Sequence, residues 1–372
     1  MNVTFFIAPA VIGVISAILA AMISITDKIV NNYGDVTIII NSGKKELKVK
    51  GGSPLLHTLS SEGIFVPSAC GGRGSCGACK CQITSDVGPI LPTEAPYLTK
   101  DEMDDNVRLS CQVKVKQDLS IHIPEELFSV KQYKATVETI KDLTHDIKEV
   151  YVRLDNPNEV DFKAGQYAQF VVPPYDKVKE STQRAYSLSS RPSDKNHMEF
   201  LIRLVPGGIV TTYVHEHLKE GQKIDLVGPF GDFYVQDTNA TMICVAGGSG
   251  MAPFKSILYD LLEKGITDRE IWYFFGARTV KDIYYLEELK ELEKKLTNFH
   301  FVAALSEPQE GDGWEGETGL ITDVLDKYLK TKVSDNTKEG YLCGSPGMIN
   351  ACNAVMSANG IEKEKIYYDS FA

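Results

Sequence analysis

The chain has 372 residues, 43% hydrophobic and 24% charged, an ordinary globular composition with room for two or three domains. Its formal net charge of −11 argues against nucleic acid as a partner, because a phosphate backbone is met by clustered Lys and Arg. Of the eight cysteines, five fall between Cys70 and Cys111 and the others, Cys244, Cys343 and Cys352, lie far downstream; one tight cluster in a long chain points to metal ligation in a reducing compartment rather than to a secreted disulfide framework.

Met1 to Thr26 carries no charged residue, and Phe5 to Ile23 is apolar except for Ser16, which is long enough to cross a bilayer core of ~30 Å. A cleaved signal peptide would begin with a positive region, and no Lys or Arg precedes this run. The expectation is an uncleaved anchor. Lys28, Lys44, Lys45, Lys48 and Lys50 follow it, so the positive-inside rule places the rest of the chain in the cytoplasm. With no ionisable group inside it, the helix anchors and offers no ion path.

Val36–Ile40 and Glu46–Val49 read as a hairpin joined by Asn41-Ser42-Gly43, Leu55–Glu62 as a short helix, and Arg108–Val113 and Leu119–Ile123 as later strands. Between them, Cys70-Gly71-Gly72-Arg73-Gly74-Ser75-Cys76-Gly77-Ala78-Cys79 gives C-x5-C-x2-C, with Cys111 well downstream. Plant-type [2Fe-2S] ferredoxins use C-x4-C-x2-C and a distant fourth cysteine, so Cys70, Cys76, Cys79 and Cys111 are the expected cluster ligands, with one extra residue in the first gap. Glycines let a loop wrap the cluster and bring amides to its sulfurs. Zinc is the other reading, but zinc knuckles pair two CxxC-like hairpins and this loop offers three ligands plus a remote one. Cys81, at a strand start, reads as a small buried side chain.

From about Lys131 to Asp237 strands dominate, with one helix near Val210–Leu218, which suggests a small antiparallel barrel. Arg184-Ala185-Tyr186-Ser187-Leu188-Ser189 is an RxYSxS strand: Arg184 can reach a pyrophosphate, Tyr186 can stack on a flavin, and Ser187 can hydrogen-bond near its reactive nitrogen. Pro206-Gly207-Gly208, followed by Thr211 at a helix start, suits a second pyrophosphate contact. Gly228-Pro229-Phe230-Gly231-Asp232-Phe233 reads as a turn between domains. The His215-x-His217 pair has no third ligand nearby and reads as helix surface.

From Thr241 onward strands and helices alternate, the signature of a parallel doubly wound sheet. Met242–Ala246 is a buried strand, and Gly247-Gly248-Ser249-Gly250-Met251-Ala252-Pro253 opens a helix, the geometry that sets a dinucleotide pyrophosphate on backbone N–H groups. Pro253 stands where the fingerprint has its third glycine. The second strand ends in Gly276-Ala277-Arg278-Thr279; an acid is expected there for NAD and an arginine for NADP, so Arg278 leaves the choice open. Cys343, in Leu342-Cys343-Gly344-Ser345-Pro346, falls at the carboxyl edge of the sheet, where nicotinamide chemistry occurs in such folds, although a buried thiol ending a strand accounts for the position equally. Phe371 either covers a flavin face or belongs to a frayed terminus.

With these motifs in this order, the chain resembles the F subunit of the sodium-translocating NADH:quinone oxidoreductases along essentially its whole length. The marks that carry the resemblance are the cysteine loop with Cys111, Arg184-x-Tyr186-Ser187, Gly247 to Pro253, and the N-terminal anchor joined to them. It implies a multidomain α+β and α/β protein: an N-terminal transmembrane helix and linker (1–33), a [2Fe-2S] ferredoxin β-grasp domain (34–129), an antiparallel FAD-binding β-barrel (130–238) and a doubly wound parallel-sheet NADH-binding domain (239–372). It implies NADH as donor, Cys343 beside the nicotinamide, Phe371 over the flavin, and Gly247, Gly248, Gly250 and Arg278 on the dinucleotide. It also implies other integral membrane subunits as partners, quinone as final acceptor, and a single-pass location in the inner membrane with the catalytic domains facing the cytoplasm. Cys343-Gly344-Ser345-Pro346 and the terminal Asp369-Ser370-Phe371-Ala372 depart from the family's C-G-P-P and glycine-ended tail, which touches the covering of the flavin. The alternative is a membrane-attached NADH-dependent reductase that feeds an oxygenase.

Overall fold

The computed structural model describes residues 4–30, 33–266 and 269–370, and the chain divides into two compact units, Met1–Ser129 and Val130–Ala372.

The first unit opens with helix α1, Thr4–Val30. Its described side chains, Val11 to Thr26, are all exposed, and among the described residues no helix is long and apolar enough to cross a membrane. Next come β1 (Asp35–Ile40), β2 (Lys45–Lys50), α2 (Leu55–Ser61), β3 (Lys80–Ile83), α3 (Lys100–Asp104), β4 (Val107–Leu109) and β5 (Leu119–His122). They form one sheet of order β2-β1-β5-β3-β4, with β1 and β5 parallel and the other neighbours antiparallel. The hairpin turns at Asn41 and Ser42, both at positive φ, and at Gly43, the residue types that tolerate this conformation. Strand β1 alternates, with Val36, Ile38 and Ile40 buried, and Leu55 and Leu59 of α2 are buried too. The strand expected over Arg108–Val113 is shorter than its sequence suggests. The Gln112 amide bonds back to the Leu109 carbonyl, so Cys111 sits in a turn just beyond β4 rather than on a strand.

The second unit begins with β6 (Lys131–Asp142), β7 (Ile147–Asn156), β8 (Tyr167–Val172), β9 (Thr182–Ser187), β10 (His197–Arg203), α4 (Ile209–Thr212) and β11 (Lys223–Phe230). The strands make an antiparallel sheet of order β10-β7-β6-β11-β8-β9, and a bridge from Leu188 to Phe200 joins its two ends, closing it as a barrel. Residues of period two, Tyr133, Ala135 and Val137 on β6 and Val150, Val152 and Leu154 on β7, fill the interior. The helix expected over Val210–Leu218 is α4 continued by a wider π-helical turn, Tyr213–His217. Gly228-Pro229-Phe230 is not an interdomain turn: it is the end of β11, where Phe230 pairs with Tyr167 after a bulge. A bulge carries an extra residue without ending the strand, and glycine and proline there mimic turn punctuation.

The remainder comprises β12 (Thr241–Gly247), α5 (Met251–Glu263), β13 (Ile271–Ala277), α6 (Leu286–Lys295), β14 (Phe299–Leu305), β15 (Glu317–Thr318), α7 (Ile321–Thr331), β16 (Lys338–Gly344), α8 (Pro346–Ala358) and β17 (Ile366–Ser370). All neighbours in the sheet β15-β14-β13-β12-β16-β17 are parallel. Two cores flank it. Phe254, Ile257, Leu258 and Leu261 of α5 with Leu289 and Leu292 of α6 cover one face, and Val324 and Leu325 of α7 with Ile349 and Cys352 of α8 cover the other. This is the doubly wound arrangement, and each such buried side chain contributes about 1.5–3 kcal/mol. Strand β10 turns Phe200 and Ile202 into the barrel and Leu201 into the α5 core, so its outer face lies along the parallel-sheet domain.

Candidate functional site

The four predicted cluster cysteines come together as two pairs. In the first, Cys76 donates to Cys70, whose thiol is pulled down to about 4 by that bond, while Cys76 is pushed up. In the second, Cys79 donates to Cys111, which falls to about 6, and Cys79 rises. Backbone amides turn toward these sulfurs from Arg73 and Ser75 to Cys70 and from Gly74 to Cys111. The Ala78 amide donates to Cys76 Sγ at 3.5 Å. Gln112 Nε2 donates to Cys111 Sγ at 3.5 Å, and its own carbonyl oxygen accepts from the Thr93 hydroxyl at 3.0 Å. Among the described residues no three His, Cys, Asp or Glu side chains converge as the ligands of one metal ion do. Four thiols in two pairs, with amides aimed at sulfur, fit the donor set of a binuclear cluster. Cys81 faces the core from β3, its thiol pushed up to about 12 by burial.

A buried ion pair braces this loop. Glu94 is 0% exposed and Arg108 4%. Arg108 Nη2 donates to Glu94 Oε2 at 2.6 Å and Nη1 to the Gly88 carbonyl at 2.9 Å, while Glu94 Oε1 accepts from the Leu109 amide at 3.0 Å. The pair therefore pins the end of β4, two residues before Cys111.

In the second unit, β9 carries Arg184, Tyr186 and Ser187. It pairs with β8 over Thr182–Ser187, and its contact with β10 comes only one residue later, so the other edge of this stretch pairs with no strand among the described residues. Tyr186 packs edge-on against Phe170, centroids 5.7 Å apart, and its hydroxyl makes no hydrogen bond to the described residues. Arg184 Nη1 donates to the Gln183 carbonyl at 2.7 Å. Helix α4 packs on β8 and β9, which brings Gly207, Gly208 and Thr211 to the strand that holds Arg184. Thr211 is buried, and its hydroxyl braces the loop by accepting from the Val205 amide at 3.2 Å. An open strand edge with a ring, a guanidinium and a glycine loop beside it fits a flavin dinucleotide.

Gly247, Gly248 and Gly250 join β12 to α5. Gly248 has φ +56°, a left-handed conformation, and a Cβ on Gly250 would fall 2.2 Å from the Cys343 carbonyl oxygen. Glycine is thus required at the first for the turn and at the second for close packing of the helix start on β16. Arg278, at the carboxyl end of β13, forms a forked pair with Glu307, Nε–Oε1 3.1 Å and Nη2–Oε2 3.0 Å, both side chains exposed. Cys343 is fully buried at the end of β16, beside Ala246 of β12 and Asp369 of β17. Burial, with Asp369 nearby, holds its thiol well above the ordinary range. Phe371 lies outside the described residues.

One residue in this cleft carries no signal in the sequence. Asp369 Oδ2 accepts from Ser187 Oγ at 3.0 Å, joining the barrel strand to the last strand of the parallel sheet. Its carboxyl is raised, by burial first and by Asp232 in addition, against the lowering effect of Ser187. The histidines play no such part: His215 bonds to the Ile202 carbonyl at 2.9 Å and His217 faces Asp176 at 3.1 Å.

A four-cysteine ferredoxin-like unit, an antiparallel barrel with an RxYS edge strand and a doubly wound sheet with a glycine cradle define an iron–sulfur flavoprotein reductase dependent on a nicotinamide. Family models agree: a 2Fe-2S iron-sulfur cluster binding domain matches residues 38–116, an oxidoreductase FAD-binding domain 134–234 and an oxidoreductase NAD-binding domain 244–354. The chain is 38% identical to the F subunit of the Na(+)-translocating NADH-quinone reductase of Marinomonas sp. (strain MWYL1), covering 96% of each, and 37% identical to its counterpart in Pseudomonas aeruginosa, covering 97% of each. It belongs to this family of Na(+)-translocating NADH-quinone reductase F subunits. Among solved structures it is similar to the cytochrome P450 reductase GcoB of Amycolatopsis (TM-score 0.72, 26% identity, 90% of this chain and 98% of that one) and to the ferredoxin reductase in carbazole 1,9a-dioxygenase (TM-score 0.68, 25% identity, 91% and 99%).

Proposed function

We propose that this chain is the NADH-oxidising, electron-entry component of a membrane NADH:quinone reductase, acting with other integral membrane subunits and with sodium export belonging to the assembled complex. The observation that carries the reading is the Ser187–Asp369 contact, which sets the flavin strand against the carboxyl edge of the nicotinamide sheet in a chain that also bears the four-cysteine loop. When bound, the groups supply the redox chemistry: NADH yields a hydride to FAD, and the electrons leave singly through the [2Fe-2S] cluster.

The side chains bind, orient and exclude water. Cys70 with Cys76, and Cys79 with Cys111, each supply two thiolates. Arg184 and the Gly207–Thr211 loop hold the FAD pyrophosphate, Tyr186 flanks the ring, and Ser187 hydrogen-bonds at its reactive edge. Gly247, Gly248 and Gly250 receive the NADH pyrophosphate, with Arg278 at the adenosine end and Cys343 beside the nicotinamide. A hydride transfer needs orientation and a dry site, not a protein acid or base.

The four-part organisation, 1–33, 34–129, 130–238 and 239–372, belongs to this reading, as does a single membrane crossing by α1 with the catalytic domains in the cytoplasm. Its support is an unbroken 27-residue helix, about 40 Å long at 1.5 Å per residue, with Ile12, Val14, Met22 and Ile23 more than half exposed. The likeness to two oxygenase-linked reductases, at 25–26% identity, favours the alternative of a reductase feeding an oxygenase, but less strongly than 36–38% identity to the quinone-reductase F subunits over 96–97% of the chain.

Affinity capture of the tagged protein from detergent-solubilised native membranes tests the destination. The expected result is co-purification with several polytopic subunits and NADH:ferricyanide activity that Arg184→Ala lowers together with FAD content. Recovery with a soluble hydroxylase instead would replace the quinone reading.

A further inference from the structure

The backbone supplies amides to the cluster sulfurs from Arg73, Ser75, Gly74 and Ala78. One further amide belongs to a side chain. Gln112, the residue after Cys111, donates from Nε2 to Cys111 Sγ at 3.5 Å, and its Oε1 accepts from the Thr93 hydroxyl at 3.0 Å. A thiolate only accepts, so the nitrogen end of this amide is the one that can face it, and the hydroxyl takes the oxygen end. Both the backbone and the side chain of Gln112 are tied to the buried Glu94–Arg108 pair. The Gln112 backbone amide bonds to the Leu109 carbonyl at 2.8 Å, and the Leu109 amide donates to Glu94 Oε1 at 3.0 Å. Thr93, which holds the side chain, directly precedes Glu94. The side chain also lies close on the cysteine loop: Gly74 is at φ +73°, and a Cβ there would fall 2.6 Å from Gln112 Nε2.

An electron added to a cluster adds negative charge, and a donor aimed at a ligand sulfur stabilises the reduced state more than the oxidised one. A donor already held in place gives that stabilisation without first having to be ordered. We infer that the Gln112 side chain raises the midpoint potential of the cluster, with Thr93 as the positioning residue that keeps the amide turned to Cys111. The inference rests on Cys70, Cys76, Cys79 and Cys111 as the ligands and adds to that reading a determinant of potential. A higher cluster potential favours the passage of single electrons from flavin to cluster. The backbone amides of the loop survive any change of side chain. Gln112 does not, so it is a place where the sequence can adjust the potential without rebuilding the loop.

The test is a redox titration of the purified full-length holoprotein, with the cluster followed by low-temperature EPR and the flavin by visible absorption. Gln112→Leu keeps a similar volume and removes the donor. It should disfavour the reduced cluster about tenfold, the low end of the range for a hydrogen bond to a charged group, which lowers the midpoint of a one-electron couple by about 60 mV. Gln112→Glu keeps the shape but replaces the donor with a carboxylate, and should lower the midpoint further. Thr93→Val should lower it by less, and Thr93→Ser should return the wild-type value. Iron content, FAD content and the flavin midpoint should match wild type in every variant, so the flavin of the same chain is an internal reference. A wild-type cluster midpoint in Gln112→Leu with full iron content overturns the inference. So does a fall shared equally by cluster and flavin, which marks a general structural change. If Gln112→Leu assembles no cluster, Thr93→Val and Gln112→Glu decide by the same criterion. Wild-type protein that gives no reduced-cluster signal overturns the ligand assignment itself and the inference with it.

Discussion

Ser187, Cys343 and Asp369 meet where two domains face each other, and each contributes differently. Cys343 is a protonated, buried thiol in a strand, so it offers shape and polarisability rather than a thiolate nucleophile. Asp369 is the group there that titrates. Its folded pKa is raised by burial, so the native state holds its proton to higher pH than the unfolded chain does. Native stability is therefore fully supported below the ordinary aspartate pKa and declines as pH rises through the raised one. Asp369→Asn should flatten that decline and leave the variant more stable than wild type at neutral pH; urea midpoints measured across pH should converge toward the acid side. Parallel curves would contradict this. Arg184, Tyr186 and Ser187 were legible in the sequence because they are neighbours on one strand. Asp369 was not, because its partner is 182 residues away and a single aspartate near a terminus carries no pattern.

Among the elements, local chemistry predicted what local chemistry builds. Asn41-Ser42-Gly43 announced the first hairpin, and glycines after an apolar strand announced the β12–α5 turn. The failures have a common cause, in that pairing partners decide strand ends. Arg108–Val113 alternates like a strand, yet only Val107–Leu109 finds a partner in β3, and Cys111 emerges in a turn. Gly228-Pro229 looks like a break, yet β11 continues through a bulge to meet β8. The brace at Glu94 and Arg108 was equally unreadable, since nothing local distinguishes a loop glutamate that becomes fully buried. Removing one member leaves an uncompensated buried charge, which costs about 3–5 kcal/mol. Glu94→Ala should destabilise the ferredoxin unit by that amount, read as an early loss of cluster absorbance in urea or heat while flavin release keeps its wild-type midpoint. Coincident loss of both, or an unchanged cluster midpoint, would show that the pair does not brace the loop.

For the molecule as a whole, the order of modules is the functional statement. Nicotinamide cradle and flavin strand occupy one unit and the cluster loop the other, so one chain can accept two electrons as hydride and deliver them one at a time. Composition and motif order made this legible because each module is marked by a short local signature: a cysteine loop, an RxYS strand, a glycine turn. The resemblance extends over 96% of the chain, which ties the modules together. Within the second unit, the Ser187–Asp369 bond joins the barrel strand to the last strand of the parallel sheet.

Passage of electrons from NADH to the cluster through the flavin of the same chain is tested most directly by anaerobic NADH titration of the purified protein, followed by visible absorption and low-temperature EPR. NADH should bleach the flavin and develop the signal of a reduced [2Fe-2S] cluster, and FAD-depleted Arg184→Ala protein should keep its cluster oxidised. A flavin that bleaches while the cluster stays oxidised, or a cluster that reduces equally well without FAD, would contradict this route.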